Sequence, residues 1–435
     1  MRGILRWRGT EKDKQRSPLA LEALRLRPST RRKLTPFLIF LVTLSVYWIV
    51  CYKEAFHQSV APHHVYQAFS FLHGKLYLEN PIPHAAFYQG KAYVVQGPVP
   101  SLVMLPFVAF FGKEMNDIIF TLILGAINPI LLYLVLRRYK QKDELRLEDN
   151  EILWLTFFFA FGTVHFFLSV HGAVWHTTQI VTTTMTLIYI LLASGMKRPI
   201  LSGIFSFLAF ASRGNLIMGW LFYPLSCFLE RAGKKSLARS AFLFLAPIFM
   251  LGLCLGYFNY VRFGNPFESG YSQLLGRFNL SWKFIPQTFY FTYLLPPVFR
   301  REFPYLWFNG YGMSFFIVMP AFLSILWVRK ITRKMIPFLV TTFSIAFPML
   351  FWDTPGFYTF GPRYALDFIP YLIIFLSLGL SRLNKAVKFL ILCSIAFNTW
   401  GAMIFSYELW PEIYERMILH NLLSGISTIF GGTTH

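Results

Sequence analysis

The run "LTPFLIFLVTLSVYWIVCY", residues 34–52, carries no charged side chain. A bilayer core about 30 Å thick needs roughly 20 apolar residues per helical crossing, so this run predicts a transmembrane helix. Similar runs follow at residues 152–170 ("ILWLTFFFAFGTVHFFLSV") and 240–258 ("SAFLFLAPIFMLGLCLGYF"). Charged residues make up 14% of the chain, whereas soluble domains carry about 25%. The sequence therefore predicts an all-α polytopic membrane protein.

The apolar runs predict about 11 transmembrane helices, in a range of roughly 10 to 13. The predicted crossings lie near residues 36–52, 117–136, 151–170, 177–195, 199–212, 214–229, 240–260, 313–329, 336–351, 364–381 and 387–405. The short, Pro-interrupted run at 98–112 predicts a re-entrant or interfacial helix instead. A true crossing there is the alternative, and it would place the basic segment from Arg137 on the outer face.

The basic residues predict the orientation of the chain. The formal charge is +21, but the lysines and arginines lie between the apolar runs, as in cytoplasmic loops, and no nucleic-acid recognition motif is present. We therefore expect a cytoplasmic N-terminus and no nucleic-acid partner. The predicted parts are a basic arm (1–35), a transmembrane domain (36–405) with outer loops at 53–97 and 261–312, and an outer tail (406–435).

The cysteines and histidines give no metal signature. The four cysteines show no C-x-x-C spacing, which argues against a disulfide framework or a zinc site. The histidines of the first outer loop also lack the spacing of a metal motif. No cofactor is predicted with certainty, and whether a divalent cation is used stays open.

Candidate catalytic residues lie in the first outer loop. Glu54, His63 and His64 belong to a polar stretch directly after the first apolar run. A carboxylate or imidazole there could take a proton from an acceptor hydroxyl. The alternative is that these side chains are solvated or packed without a chemical role.

Candidate substrate-binding residues lie near the end of the chain and at its middle. Arg363 and Asp367 are four apart at the start of an apolar run, a spacing that brings them together on an α-helix. Arg363 could present its donors to a phosphate or carboxylate, oriented by Asp367. Arg213 is a second candidate. The alternatives are a structural ion pair for Arg363 and a snorkelling arginine for Arg213.

Three more candidates lie at predicted outer ends of helices. Arg262 and Glu268 bracket the turn-rich segment "RFGNPFESGY" (262–271), which could instead be a simple connector. His176 follows Trp175, where a place in the interfacial aromatic belt is the alternative reading.

The order of these segments resembles a known family. The chain has a basic arm, one anchor, "YQAFSFLHGKLYL" (66–78), "YQGKAYVVQGPVPSLVMLPF" (88–107), then "RFGNPFESGY", and finally "GPRYALDFIP" (361–370). Over roughly residues 36–405 this resembles bacterial membrane proteins of the GT-C class of glycosyltransferases. That superfamily includes protein O-mannosyltransferases and the aminoarabinose transferases acting on lipid A.

The resemblance implies a GT-C-like fold in the bacterial inner membrane. A polyprenyl-phosphate-linked sugar would be the donor, and a lipid, glycan or protein the acceptor, above a cavity facing the membrane. By this resemblance Arg363, and then Arg213, would contact the donor phosphate. The family commonly has an acidic residue shortly before the tyrosine matching Tyr66, where this chain has Pro62, His63 and His64.

The missing acid leaves the base and the reaction open. Glu54, just past the first helix, is the first candidate, with Glu79 or a histidine as alternatives. A second hypothesis is a non-catalytic protein that binds or translocates a polyprenyl-linked glycan. A third is a solute transporter or channel, although few charged residues lie within the predicted crossings.

Overall fold

The computed structural model describes residues 28–195, 197–230, 234–275, 280–301, 305–352, 356 and 359–405. Most of these residues are helical, as predicted, and two short antiparallel hairpins interrupt the helices. Most of the predicted basic arm and all of the predicted tail 406–435 lie outside the described residues. The first helix starts at Pro28, earlier than the predicted boundary at residue 36.

The α-helices and strands follow one another along the whole described chain. The α-helices are α1 (Pro28–Cys51), α2 (His63–Leu72), α3 (Val99–Phe111), α4 (Asp117–Lys140), α5 (Asp149–Phe161), α6 (His165–Val170), α7 (Ala173–Ala193), α8 (Pro199–Ser212), α9 (Phe222–Leu229), α10 (Lys234–Phe263), α11 (Tyr271–Leu275), α12 (Ile285–Phe289), α13 (Phe315–Val318), α14 (Ile336–Ala346), α15 (Ile369–Gly379) and α16 (Lys385–Ile404). The strands are β1 (Ala86–Tyr88), β2 (Lys91–Tyr93), β3 (Val298–Phe299) and β4 (Leu306–Trp307).

Shorter 3₁₀ and π segments connect or extend these helices. The 3₁₀ segments are Glu54–Phe56, Gly112–Glu114, Gly214–Leu221, Trp282–Phe284, Pro320–Trp327, Pro348–Phe351 and Arg363–Asp367. A single π segment is described at Tyr290–Leu294.

Four of the described helices are long and apolar enough to cross a membrane: Leu34–Cys51 in α1, α4, Lys235–Phe263 in α10, and α16. They correspond to four of the predicted crossings. The predicted number of about 11 is not confirmed, since several apolar runs are interrupted within the described residues and give shorter helices. The helix α3 has 13 residues, which at 1.5 Å per residue span roughly 20 Å, less than a bilayer core.

The interruptions have causes that the structure shows. The predicted crossing 151–170 ends as α5 at Phe161, and α6 starts at His165, because the chain turns at Gly162 against Phe158 and Ser394. The predicted crossing 364–381 starts as a 3₁₀ helix and becomes α-helical only at Ile369. Hydropathy counts apolar residues, and it does not show where the hydrogen-bond pattern of a helix changes.

The helix α7 lies at the centre of the molecule between α4 and α8. Its threonines are buried, and four of their hydroxyls donate to the carbonyl four residues earlier, as Thr178 does to Val174. Such bonds satisfy polar side chains inside a helix without any external partner. The helix α8 in turn packs on α10 at Gly203, where a Cβ atom would lie 2.2 Å from the Phe244 carbonyl oxygen.

Candidate functional site

A buried cluster of polar side chains surrounds the 3₁₀ helix Arg363–Asp367; we call it the Arg363 cluster. Its members are His176, Gln179, Arg213, Asn215, Arg363, Tyr364 and Asp367. The Nη2 and Nε atoms of Arg213 both lie 3.0 Å from Asp367 Oδ2. Asn215 Nδ2 donates to the same oxygen at 2.6 Å. The ion pair thus joins the end of α8 to the start of α15.

The pairing of Asp367 differs from the sequence expectation. The four-residue spacing predicted that Asp367 would face Arg363, but this segment is a 3₁₀ helix, with three residues per turn. Residues four apart therefore do not lie above one another, and Asp367 pairs with Arg213 across 154 positions. Within the described residues Arg363 forms no ion pair, and its buried Nε has no hydrogen-bond partner.

Tyr364 lies between the two arginines. Its ring centroid is 5.1 Å from the Arg213 guanidinium carbon and 5.4 Å from that of Arg363. Gly356 also packs against the Arg363 side chain: a Cβ atom on Gly356 would lie 2.7 Å from Arg363 Nε, and the φ of Gly356 is +107°. The Arg363 side chain is therefore held by an aromatic ring and backbone, while its charge has no acidic partner among the described residues.

Gln179 and His176 bring α7 to the same 3₁₀ helix. Gln179 Nε2 donates to the Arg363 carbonyl oxygen at 2.7 Å. His176 lies one turn earlier on α7, with its ring 6.3 Å from that of His171. Four buried atoms of the cluster lack a hydrogen-bond partner: His176 Nδ1, Gln179 Oε1, Arg363 Nε and Asp367 Oδ1. Most buried polar groups in proteins are paired, so a group of unpaired ones marks a place for a ligand or water.

The segment after α10 reaches this cluster through Tyr271. Burial raises the pKa of the Tyr271 hydroxyl, and the nearby charges of Arg213 and Arg363 oppose this rise. Glu268 lies in the same segment and accepts hydrogen bonds from Gly270 N at 2.5 Å and from the Ser272 hydroxyl. The structure thus places Glu268 as the residue that shapes the turn leading to Tyr271.

Arg262 lies apart, at the end of α10. Its guanidinium is surrounded by the rings of Tyr93, Phe258 and Phe263 at 4.6–5.2 Å, and Nη2 donates to the Val94 carbonyl oxygen at 2.6 Å. These contacts attach the β1–β2 hairpin, in the segment 53–97 that was predicted as the first outer loop, to α10. Arg262 therefore holds the β1–β2 hairpin against the end of α10.

The carboxylates predicted as candidate bases, Glu54 and Glu79, lie in the segment 53–97. Glu54 starts the 3₁₀ helix Glu54–Phe56 directly after α1 and is half-buried. Glu79 is exposed and forms ion pairs with Lys75 at 2.7 Å and Lys113 at 3.3 Å. Of the two, Glu54 is the one that retains partial burial near the end of a membrane helix.

The two histidines of α2 are both buried. Burial lowers the pKa of His64 to about 3. Its Nδ1 lies 2.9 Å from Ser101 Oγ, and its Nε2 lies 2.7 Å from Thr178 Oγ1, so the ring joins α2 to α3 and α7. His63 Nε2 lies 2.7 Å from the Pro83 carbonyl oxygen, and its ring meets the edge of Trp175.

Two residues that position this region were missed by the sequence analysis. Asp117, the first residue of α4, accepts hydrogen bonds from Ser59 N (2.9 Å), Ser59 Oγ (2.5 Å) and Ala173 N (3.1 Å). A Cβ atom on Gly97 would lie 1.8 Å from the Ala211 carbonyl oxygen, so the first outer loop meets the end of α8 beside Arg213. The sequence did contain a signal for Asp117, because an acidic residue stands at the first position of an apolar run. It contained no signal for the close contact of Gly97.

Metal ions in proteins are usually held by groups of His, Cys, Asp and Glu side chains. Across the described ranges, no group of three or more His, Cys, Asp or Glu side chains is arranged to hold a metal ion.

The fold matches solved structures of one enzyme. The chain is similar to the oligosaccharyltransferase of Archaeoglobus fulgidus in its apo form, with a TM-score of 0.52 at 13% identity. The same enzyme, AglB, in complex with an inhibitory peptide and a dolichol-phosphate gives a TM-score of 0.52 at 13% identity. That enzyme is a GT-C glycosyltransferase. The chain has a GT-C-like membrane fold. This likeness confirms the class of fold that the sequence predicted and leaves the subfamily open.

The match covers only part of the enzyme. It includes 85% of this chain and 56% of the apo enzyme. A third structure, tethered to an acceptor peptide with an NVT sequon, gives a TM-score of 0.51 at 15% identity, covering 86% of this chain and 56% of that one. No protein-family model matches the sequence, and no curated protein matches it.

Proposed function

We propose that the chain is a glycosyltransferase that moves a sugar from a polyprenyl-phosphate-linked donor to a lipid, glycan or protein acceptor. The reaction would take place at the outer face of the bacterial inner membrane. The observation that carries this proposal is Arg363, a buried guanidinium with an unpaired Nε and no acidic partner among the described residues. A buried charge without a counter-ion is costly, so a bound anion would stabilise it.

The neighbouring residues favour Arg363 over Arg213 as the proposed phosphate ligand. Arg213 is neutralised by Asp367, which Asn215 also contacts. Arg363 is held in place by Tyr364 and Gly356 but keeps its charge available. As the bond between sugar and phosphate breaks, negative charge grows on the phosphate, and a fixed guanidinium stabilises it. Arg213 would support the cluster indirectly, through Asp367 and Tyr364.

The acceptor hydroxyl also requires a group that takes its proton. We propose Glu54 for this role, since it is half-buried directly after the first membrane helix. Its proton would come from the acceptor oxygen as that oxygen attacks the anomeric carbon. In the neighbour structures, the bound dolichol-phosphate and peptide are a lipid phosphate and a peptide ligand of an enzyme with this fold, which supports a donor and an acceptor of this general type.

A second candidate function shares the same binding site. A non-catalytic protein that binds or translocates a polyprenyl-linked glycan would need Arg363 but no base. It is favoured by the sequence of the first outer loop, where histidines replace the expected acid and His64 is bonded on both ring nitrogens.

The test is mass spectrometry of surface glycans and glycolipids from cells that have or lack the protein. If the protein transfers a sugar, one sugar modification should disappear when its gene is deleted and return when the wild-type chain is expressed. It should not return with the Arg363→Gln or Glu54→Gln variant. Arg300→Gln, on an exposed outer-loop arginine, is the matched control and should restore it. Unaltered glycans together with accumulated lipid-linked precursor would instead favour the binding or translocating protein.

A further inference from the structure

The four unpaired atoms of the Arg363 cluster differ in their hydrogen-bonding chemistry. Arg363 Nε can only donate a hydrogen bond. Asp367 Oδ1 and Gln179 Oε1 can only accept one, if the aspartate is ionised, and His176 Nδ1 can do either. The cluster therefore offers one donor, two acceptors and one atom of either kind to whatever occupies it.

The assignment of the two acceptor atoms follows from their partners. Gln179 Nε2 is the nitrogen because it faces the Arg363 carbonyl oxygen at 2.7 Å, and an oxygen there would repel it. Oε1 is then the free end of the amide. Asp367 Oδ2 receives the hydrogen bonds from both Arg213 and Asn215, which leaves Oδ1 with none.

Both acceptors belong to the surroundings of the same 3₁₀ helix. Asp367 lies on it, and Gln179 is bonded to its first residue, Arg363. A bare phosphate would satisfy Arg363 but would leave Asp367 Oδ1 and Gln179 Oε1 buried without a donor, which is unfavourable. A ligand that joins an anion to hydroxyl groups would satisfy all three atoms.

We propose that Asp367 and Gln179 are specificity-determining residues that bind hydroxyl groups of the sugar, so that the site recognises a glycosyl phosphate in preference to the bare lipid phosphate. This inference rests on the proposed function, since it names which part of the donor each residue contacts. It also has a consequence for turnover. Once the sugar has left, the lipid phosphate leaves two buried acceptors unpaired, and the product is bound more weakly than the donor.

The experiment measures binding to the purified full chain in lipid nanodiscs by native mass spectrometry. The probes are undecaprenyl phosphate and undecaprenyl phosphate carrying glucose, mannose or aminoarabinose. For the best-bound sugar, analogues with single hydroxyls replaced by fluorine remove one donor at a time. We expect wild type to bind that glycosyl phosphate about ten-fold or more tightly than undecaprenyl phosphate, and one fluorine analogue to lose about ten-fold.

The variants assign that loss to a residue. In Asp367→Asn, which keeps the shape of the side chain, the ratio of the affinity for glycosyl phosphate to that for bare undecaprenyl phosphate should fall about ten-fold or more, and the fluorine effect should disappear. Bare undecaprenyl phosphate should bind as tightly as to wild type or more tightly, because Asp367 then no longer neutralises Arg213. Asn215→Ser removes a partner of Oδ2 but leaves Oδ1 in place, so it should affect the glycosylated and bare lipids equally.

Failure of the sugar-recognition inference can be distinguished from failure of the proposed function. Equal wild-type affinity for glycosylated and bare lipid phosphate, or an equal loss of both in Asp367→Asn, overturns the sugar-recognition inference while leaving phosphate binding intact. No wild-type binding of any of these lipids overturns the proposed function itself. If Asp367→Asn does not fold, the fluorine analogues on wild type decide alone: no loss with any analogue rejects the inference.

Discussion

Two buried aspartates of this chain differ in how many of their carboxylate oxygens accept hydrogen bonds. Both oxygens of Asp117 accept hydrogen bonds, from Ser59 and Ala173, and the residue attaches the segment 53–97 to α4 and α7. Asp367 uses only Oδ2, toward Arg213 and Asn215, and its Oδ1 is buried without a partner. Burial alone therefore does not separate a structural carboxylate from a functional one.

The difference lies in whether the polar atoms are satisfied by the chain. A satisfied network stabilises one arrangement of the loops, and removing a member leaves its partners unpaired. An unsatisfied cluster costs stability until a ligand completes it, which is the arrangement expected of a binding site. Substitutions in the two regions should accordingly act on stability in the first and on ligand binding in the second.

The largest expected effect on stability is that of Asp117→Ala. It leaves two backbone N–H groups and a hydroxyl buried without an acceptor, and we expect a loss of about 3–5 kcal/mol in the free energy of unfolding. Thermal unfolding in detergent micelles measures it, with Asp149→Ala, at a carboxylate that is more than half exposed, as the control. A melting temperature equal to wild type would remove the structural role of Asp117.

A smaller loss is expected for Gly97→Ala. The added Cβ would overlap the Ala211 carbonyl oxygen at 1.8 Å, so the first outer loop must move away from Arg213. We expect about 1–3 kcal/mol of destabilisation together with weaker lipid-phosphate binding. Gly214→Ala is the matched control because nothing lies within 4 Å of its Cβ position. Equal behaviour of the two variants would show that this contact is unimportant.

A further expected effect on stability concerns pH. The pKa of His64 is about 3 in the folded protein and about 6.5 when unfolded. The unfolded state therefore binds the extra proton first, and stability is retained above pH 6.5 and lost as the pH falls from about 6.5 toward 3. The loss should approach about 1.4 kcal/mol per pH unit. Melting curves of wild type and His64→Gln between pH 7 and 5 test it; identical pH dependence would contradict the assignment.

The sequence was sufficient to predict the class of fold and four of the membrane helices. Long uncharged runs such as Leu34–Cys51 leave few alternatives, because a chain in a bilayer must satisfy its own backbone. It did not predict the interruptions, since the turn at Gly162 depends on Phe158 and Ser394, and Ser394 is distant in the chain.

The sequence predicted the charged residues of the Arg363 cluster, but it did not predict which of them form an ion pair. Arg213, Arg363 and Asp367 were all singled out from the sequence, and the structure brings them together around Tyr364. The partner of Asp367 depends on a 3₁₀ segment and on tertiary contact, which local spacing does not encode. Gln179 and Asn215 were missed because neutral amides in apolar surroundings carry no sequence signal of their contacts.

The most direct test of the central claim is the affinity of undecaprenyl phosphate for wild type and Arg363→Gln in nanodiscs. Loss of the charged hydrogen bonds should weaken binding about ten- to a hundred-fold, and the melting temperature should stay the same or rise, since an unpaired buried charge is removed. Arg300→Gln should bind as wild type does. Undiminished binding by a folded Arg363→Gln variant would contradict the account.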